Sequence, residues 1–240
     1  MRRVSLSANQ LKIIAVLAMV LDHTVALFVP HGNVWRYILR CVGLIAAPTM
    51  CYIIAEGYHH TSNRSRYFFR LVLFALISHV PFNLCMGFDL SVLTATSVMW
   101  SLAMGLLALT VLRQSQYHWS LRVVGLCLCC LLAYTANWNY IAVLWIVVFG
   151  LFHGHRAKQM AGFALVGLLH LGQQYGPLLL GQVPSGDFHN WYQWGIFMAI
   201  PLLLCYNGNR GHQPKWFAKC FYWFYPVHLL VLYAVYQLVK

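Results

Sequence analysis

The chain has 240 residues, of which 61% are hydrophobic and 8% are charged, and its formal net charge is +12. So apolar a composition excludes an ordinary soluble domain and is typical of a protein that crosses a membrane several times. The basic residues are scattered in short connections, which indicates topology signals and argues against a nucleic-acid partner. The eight cysteines show no paired zinc-ligand spacing, so we expect neither a disulfide framework nor a metal site.

Apolar segments follow one another along the whole chain and predict an all-α transmembrane bundle of about nine spans, forming one domain over residues 1–240. The first segment is too long for a signal peptide and lacks a small-residue cleavage site, so we expect a retained helix. The predicted spans are Asn9–Val29, Trp35–Glu56, Tyr67–Leu84, Thr96–Leu112, Leu121–Thr135, Tyr140–Phe152, Met160–Leu180, Trp191–Tyr206 and Trp216–Val239.

The distribution of Lys and Arg predicts how these spans are oriented. If the N-terminus is cytoplasmic, only Arg36, Arg40 and Lys240 of the 16 basic residues fall in outer segments, and the other 13 fall in inner segments. Cytoplasmic connections are enriched in Lys and Arg in just this way. The pattern therefore predicts a cytoplasmic N-terminus, an outer C-terminus and a cytoplasmic loop between Tyr58 and Tyr67.

Asp22 and His23 stand side by side inside the first apolar segment. At a rise of about 1.5 Å per residue, Asp22 lies roughly 10 Å from the outer end of its helix, and Arg40 lies about 8 Å from the outer end of the next. This similar depth predicts an ion pair. A stripe of small residues on the face of Asp22, including Ala15 and Ala18, supports it, because such stripes mark helix contacts in membranes.

His23 is rotated by about 100° from Asp22 along the helix, so we expect it to lie off the packing face, beside a cavity. Ionisable residues inside a membrane are costly and usually line a site, which favours a functional role for His23. For Asp22 a structural and a functional role both stay open. His228 falls near mid-depth in the ninth segment, whereas His79 and His170 are interpreted as packing residues.

Glu56 ends the second segment and precedes a basic loop that contains Asn63, Arg64 and Arg66. The structural interpretation is that Glu56 forms an ion pair that fixes the loop, and that the charge of the loop reflects membrane topology alone. The functional interpretation is a cradle for a donor that carries phosphate groups, because the planar guanidinium of Arg suits phosphate.

Four stretches, in order along the chain, resemble the blocks of the TraX family of conjugal-transfer proteins, which is associated with N-acetylation of pilin. They are NQLKIIAVLAMVLDHTVALF from Asn9, IAEGYHHTSNRSRYFFRLVLFALISHVPFNL from Ile54, LLLCYNGNRG from Leu202 and FYWFYPVHLLVLY from Phe221. The resemblance covers essentially the whole chain. Together the Asp-His pair, the Ala-Glu-Gly-Tyr turn, the Tyr-Asn-Gly-x-Arg-Gly loop and the Tyr-Pro-x-His helix are quite specific.

The resemblance implies a multi-pass acyltransferase of the bacterial cytoplasmic (inner) membrane. The expected donor is cytoplasmic acetyl-CoA, with no metal or prosthetic group, and the acceptor is an amine or hydroxyl, as in pilin. The implied catalytic residues are His23, Asp22 and His228. The implied donor-binding residues are Arg40, Glu56, Asn63, Arg64, Arg66 and Arg210.

Some positions depart from the family pattern. Leu44 stands where Arg is expected and Ala47 where Phe is expected. Asn139 and Ala142 replace two glycines, while Ser97 and Ser101 replace an Asn and a Thr. These changes leave the expected fold untouched and bear on the acceptor and on activity.

Two other functions fit the same residues. Asp22, Arg40 and the intramembrane histidines could form the proton relay of a transporter, although we find no internal repeat of the kind common in transporters. The chain could also be a non-catalytic component of a conjugation or secretion assembly.

The orientation is testable by labelling single cysteines in a variant that lacks the eight native ones. A cysteine at Ser62 should react with a membrane-impermeant thiol reagent only when the cytoplasmic side is accessible, because the basic loop is predicted to face the cytoplasm. Labelling of intact cells at this position would contradict the orientation.

Overall fold

The computed structural model describes residues 5–181, 191–211 and 215–240. Over these residues the chain forms ten α-helices and one 3-10 helix, with no β-strand, which confirms the all-α prediction. The α-helices are α1 (Ala8–Phe28), α2 (Val34–Gly43), α3 (Ala46–His60), α4 (Arg64–Met86), α5 (Val98–Leu112), α6 (Trp119–Leu132), α7 (Asn139–Leu151), α8 (Arg156–Leu179), α9 (Ala199–Leu204) and α10 (Lys215–Val239). The 3-10 helix is Trp191–Met198. Arg2 and Arg3, counted above as inner residues, lie outside the described residues, as do the side chains of Lys215 and Lys219.

Four helical stretches among the described residues are long and apolar enough to cross a membrane. They are Ala8–Phe28, Val34–His60, Arg64–Met86 and Cys220–Val239. Val98–Leu112, Trp119–Leu132, Asn139–Leu151 and Trp191–Leu204 are apolar but shorter. All nine predicted segments are thus helical, and the number that spans the bilayer stays a prediction.

The second predicted span is divided into α2 and α3 at Leu44 and Ile45. Pro48 stands in the first turn of α3 and has no N–H to donate to the carbonyl of Leu44. Proline is tolerated in the first turn of a helix but interrupts a helix that would continue through it. The chain therefore ends one helix and begins another within the span.

Side chains satisfy both ends of α1. Ser7 and Gln10 form a capping box at its start. At its end, the guanidinium of the buried Arg36 donates to the carbonyls of Val25 at 3.2 Å, Ala26 at 3.1 Å and Val29. The last carbonyls of a helix have few partners within it, and Arg36 supplies hydrogen bonds to them from α2.

The helices are grouped into two compact units. Over the described residues, the first comprises 5–50, 155–181 and 191–211, and the second comprises 51–154 and 215–240. In the first, α2 packs on α1 and on the 3-10 helix, which also contacts α8 and α9. In the second, α5 packs against α4, α6 and α7, and α10 packs against α4. The single domain over residues 1–240 stays a prediction.

The centre of the second unit is the contact between α5 and α7. Trp145, Phe149 and Leu106 are completely buried there. A Cβ at Gly105 would overlap the side chain of Ile146, so this glycine permits the close approach of the two helices.

Helix ends that were predicted to share one side of the membrane meet within each unit. In the first unit the amide of Ala8, at the start of α1, donates to the carbonyl of Asn209 at 2.9 Å. In the second, Nη2 of Arg113, after α5, donates to the carbonyl of Gly150 near the end of α7 at 2.7 Å.

Asn139 begins α7 with a φ of +32° and is the one non-glycine residue with a positive φ among the described residues. Asparagine tolerates this left-handed region better than most residues. Its Oδ1 also accepts a hydrogen bond from the amide of Ile141 at 3.0 Å. The substitution of a family glycine by asparagine is therefore compatible with the backbone.

This compatibility predicts that two substitutions of Asn139 lower the stability by very different amounts. Asn139→Gly should cost only a few tenths of a kcal/mol, because glycine keeps the backbone freedom and loses only the cap. Asn139→Ala should cost about 2–3 kcal/mol, since it loses the cap and adds about 1–2 kcal/mol of backbone strain. Unfolding of the purified variants in detergent measures both. Equal losses of stability would contradict the argument.

Candidate functional site

Asp22 and Arg40 form the ion pair that their depth predicted. Nε of Arg40 donates to Oδ1 of Asp22 at 3.0 Å, and the two side chains are 21% and 17% exposed for Arg40 and Asp22 respectively. Nη1 of Arg40 also donates to the hydroxyl of Tyr192 at 3.0 Å, and the guanidinium lies 4.5 Å from the centre of that ring. The pairing prediction is confirmed, and the cluster joins α1, α2 and the 3-10 helix.

Two glycines bring these three elements close enough for the cluster to form. A Cβ at Gly43 of α2 would lie 2.6 Å from the Cβ of Asp22. A Cβ at Gly195 of the 3-10 helix would overlap the carbonyl oxygen of Cys41. Since small residues allow helix backbones to approach in membranes, the glycines determine how far Arg40 must reach.

His23 is buried, with 8% of its surface exposed, whereas Asp22 is half-buried. It continues a buried row formed by Leu11, Ala15 and Met19 at four-residue steps. The prediction that His23 lies off the packing face is therefore wrong. The stripe of small residues marks where α1 approaches its neighbour most closely, but the buried face of α1 is wider than that stripe.

His228 is buried in α10, and its ring is fixed by local contacts. Its Nδ1 lies 3.0 Å from the carbonyl oxygen of Phe224, and the two rings stack with centroids 5.1 Å apart. Because a carbonyl oxygen can only accept a hydrogen bond, this contact assigns the proton to Nδ1 and the basic lone pair to Nε2.

Further polar side chains lie inside the same unit as His228, between α4, α5 and α10. Nδ2 of Asn83 donates to the carbonyl of Ala95 at 3.4 Å. Ser97 and Ser101, which replace the family Asn and Thr, are buried at the start of α5, and Tyr225 of α10 lies beside Val98. The sequence did not indicate Asn83 or Tyr225, because a single neutral polar residue in an apolar helix gives no pattern.

The first turn of α4 carries three of the predicted donor-binding residues. Oδ1 of Asn63 accepts the amide of Arg66 at 2.7 Å, so Asn63 is the N-cap of α4. The guanidinium of Arg64 lies 4.3 Å from the centre of the Tyr58 ring. Arg64 and Arg66 are both exposed at a helix N-terminus, an arrangement that suits an anion.

Glu56 is buried at the end of α3 and binds two histidines. Its Oε2 lies 3.4 Å from Nε2 of His60, and its Oε1 lies 3.1 Å from Nε2 of His153. His60 was predicted to lie in the loop after Glu56 but is the last residue of α3, so this pair forms within the helix. The second partner, His153, was missed because it is remote in sequence and carries no local motif.

Arg210 is exposed in the loop after α9, where the chain returns to α1. Its carbonyl accepts the amide of Asn9 at 3.3 Å, and Nδ2 of Asn9 donates to the carbonyl of Gly211 at 3.0 Å. The loop is therefore attached to α1 through its backbone, which leaves the exposed guanidinium of Arg210 outside these backbone contacts.

The predicted site residues divide between the two units. The first unit holds Asp22, His23, Arg40 and Arg210, and the second holds Glu56, Asn63, Arg64, Arg66 and His228. Five of the six positions that depart from the family pattern are buried: Leu44, Ala47, Ser97, Ser101 and Ala142. An arginine at position 44 would need a buried partner, whereas Leu44 needs none.

Comparison with known proteins gives one family and one close relative. The family model described as TraX protein matches residues 7–236. The chain is 31% identical over 241 residues to a protein of Dichelobacter nodosus described as probable fimbrial assembly protein FimC, serogroup H1, and the match covers 96% of each chain. No solved structure matches.

The ion pair predicts a specific pattern of stabilities. Asp22→Ala and Arg40→Ala should each cost about 3–5 kcal/mol, because each leaves a buried charge without its partner. The double variant should lose less than the sum of the two. Thermal unfolding in detergent measures all three, with Asp89→Ala, an exposed carboxylate, as the control that should not change. Strictly additive losses would contradict the pair.

Proposed function

The chain belongs to the TraX family, and we propose that it is a membrane acyltransferase that moves an acetyl group from cytoplasmic acetyl-CoA to an acceptor amine or hydroxyl. The observation that carries this proposal is a titratable histidine, His23, buried in a helix long and apolar enough to cross a membrane and next in sequence to the ion-paired Asp22. Such residues are costly in a bilayer and usually belong to a site. The protein acts in the bacterial cytoplasmic membrane, with its donor side inward.

His23 is the general base of the reaction. The imidazole takes the proton from the attacking nitrogen or oxygen while that atom forms a bond to the thioester carbonyl carbon. The carbon–sulfur bond then breaks, and the imidazolium returns the proton to the departing thiolate of CoA. Histidine suits both steps because its ordinary pKa lies near neutral pH.

Asp22 helps to position His23 and does not contact the reacting atoms. Its carboxylate is engaged by Arg40, which is held in turn by Tyr192. This network ties α1 to α2 and the 3-10 helix, and so fixes the backbone that carries His23. Preorganised geometry of this kind determines how well a base performs.

His228 is a second titratable group, buried in the second unit with its basic nitrogen assigned to Nε2. Its role in the reaction is inferred from the family resemblance alone, and we propose His23 as the base.

The phosphate groups of the donor bind to exposed arginines. Arg64 and Arg66 lie at the N-terminus of α4, where the helix dipole and the guanidinium groups both favour an anion. Arg210 is a further exposed cation in the first unit. Asn63 contributes by capping α4, and Glu56 contributes by fixing the chain that precedes it.

The acceptor is a pilin-type protein. The support for this is the relative from Dichelobacter nodosus, whose name describes fimbrial assembly and whose length is matched almost completely. The same name favours a second candidate function, a non-catalytic membrane component of fimbrial assembly. The two differ in whether acetyl transfer occurs at all.

Acetyl transfer in membranes tests the proposal. Membranes that contain the wild-type chain and a pilin acceptor should transfer radiolabelled acetyl from acetyl-CoA to protein. His23→Ala should lower the rate about 10²–10⁴-fold, because that is the usual contribution of a positioned base. The matched control is His31→Ala, an exposed histidine in the loop after α1, which should transfer normally.

The variants should distinguish the binding of CoA from the transfer of acetyl. His23→Ala should keep its affinity for CoA, whereas Arg64→Ala and Arg66→Ala should weaken it, as measured by calorimetry on purified protein. Transfer by folded His23→Ala at the wild-type rate would remove His23 from the reaction. If neither the wild type nor any variant transfers acetyl, the second candidate function, a non-catalytic component of fimbrial assembly, is favoured.

A further inference from the structure

Glu56, His60 and His153 place one carboxylate and two imidazoles around a common point in the second unit. We propose that these three residues bind one divalent transition-metal ion of the zinc class through the Glu56 carboxylate and the Nε2 atoms of both histidines. The three residues belong to the second unit, and the proposal does not depend on the proposed acyl transfer. It departs from the expectation of a metal-free protein.

The distances between the ligand atoms suit a tetrahedral ion. Nε2 of His60 lies 3.4 Å from Glu56 Oε2, and Nε2 of His153 lies 3.1 Å from Glu56 Oε1. All three ligand atoms lie within 4.8 Å of one another. With bonds of about 2.0–2.2 Å, two ligands of a tetrahedral zinc ion are about 3.3 Å apart, and each histidine already lies close to that distance from one oxygen of the carboxylate.

The secondary structure explains why the ligands converge. Glu56 and His60 are four residues apart in α3 and therefore lie on one face of that helix. His153 comes from the turn after α7, which Gly154 completes with a φ of +84°. Imidazole nitrogen and carboxylate oxygen are ligands that zinc accepts readily.

The neighbours of His153 hold it in position. His59 stacks on the His153 ring with centroids 3.9 Å apart, and Nε2 of His59 lies 3.0 Å from the carbonyl of Gly150. Nη2 of Arg113 donates to the same carbonyl at 2.7 Å and to that of Leu151 at 3.2 Å. Outer contacts that orient ligands are typical of metal sites in proteins.

Exposure gives the ion access from solvent. The side chain of His60 is 61% exposed and that of His153 is 34% exposed, while that of Glu56 is 10% exposed. Three protein ligands with an open fourth position are the arrangement of zinc sites that also bind water or substrate. A bound cation would also neutralise the buried carboxylate and join the end of α3 to the turn after α7.

Metal content and affinity test this proposal directly. The protein is purified through an affinity tag without histidine, stripped with a chelator and titrated with Zn²⁺ against a competing dye. The wild type should bind one ion per chain, and stripped protein loaded with Co²⁺ should show the visible absorption of a tetrahedral site. The matched control is His155→Ala, an exposed histidine two residues from the proposed ligand, which should bind like the wild type.

Loss of a ligand should weaken zinc binding more than loss of an outer contact does. Since outer contacts contribute about 10–100-fold, His60→Ala, His153→Ala and Glu56→Gln should each weaken binding at least about 100-fold. His60 is exposed, so His60→Ala tests the site without a large effect on folding, which size-exclusion chromatography checks. The proposal is overturned if the folded wild type binds no stoichiometric zinc or if His60→Ala binds it as tightly as the control does.

Discussion

The cost of burying charge in an apolar helix bundle determines the arrangement of the first unit. Asp22 stands in the middle of a helix that can cross a membrane, and an unpaired carboxylate there would be strongly destabilising. The guanidinium of Arg40 removes this cost only if α2 lies against α1 and the side chains meet at 3.0 Å. The position of α2, the glycine at position 43 and the placement of Tyr192 all follow from that requirement.

Carbonyl groups at the helix ends also need partners inside the bundle. Arg36 satisfies the last carbonyls of α1, and Arg113 satisfies carbonyls at the end of α7. Glu56, the buried carboxylate of the second unit, is met by two histidines. These basic groups therefore neutralise or satisfy something specific. Arg66 and Arg210 are exposed, and Arg64 is exposed with its guanidinium over the Tyr58 ring. This exposure supports the proposal that the three arginines bind the phosphate groups of the donor.

The sequence predicted the features that depend on composition and depth. Apolar segments predicted the helices, and the similar depth of Asp22 and Arg40 predicted their contact. The sequence did not predict the division at Leu44, because the effect of Pro48 depends on whether the helix must continue through it. It also misplaced His23, since the width of a buried face depends on how many neighbours pack against a helix.

Contacts between remote segments were the least predictable part of the site. His153 meets Glu56 only because the turn after α7 folds back on α3. No motif around either residue indicates that they lie together. Asn83 and Tyr225 are neutral, so they gave no charge signal, yet both lie among the buried polar residues of the unit that contains His228. Asn139 shows the reverse case, in which a departure from the family glycine retains the backbone conformation that glycine would allow.

The central claim is that the Asp22–Arg40 pair positions His23 and takes no part in the chemistry. Acetyl transfer by the double variant Asp22→Leu/Arg40→Met tests it most directly, because an apolar pair of similar volume can replace a buried ion pair without leaving a charge unpaired. If the pair only positions α1 and α2, the double variant should transfer acetyl within about tenfold of the wild-type rate, a loss of about 1.4 kcal/mol in the barrier. A folded double variant as inactive as His23→Ala would contradict the claim and place the carboxylate in the reaction.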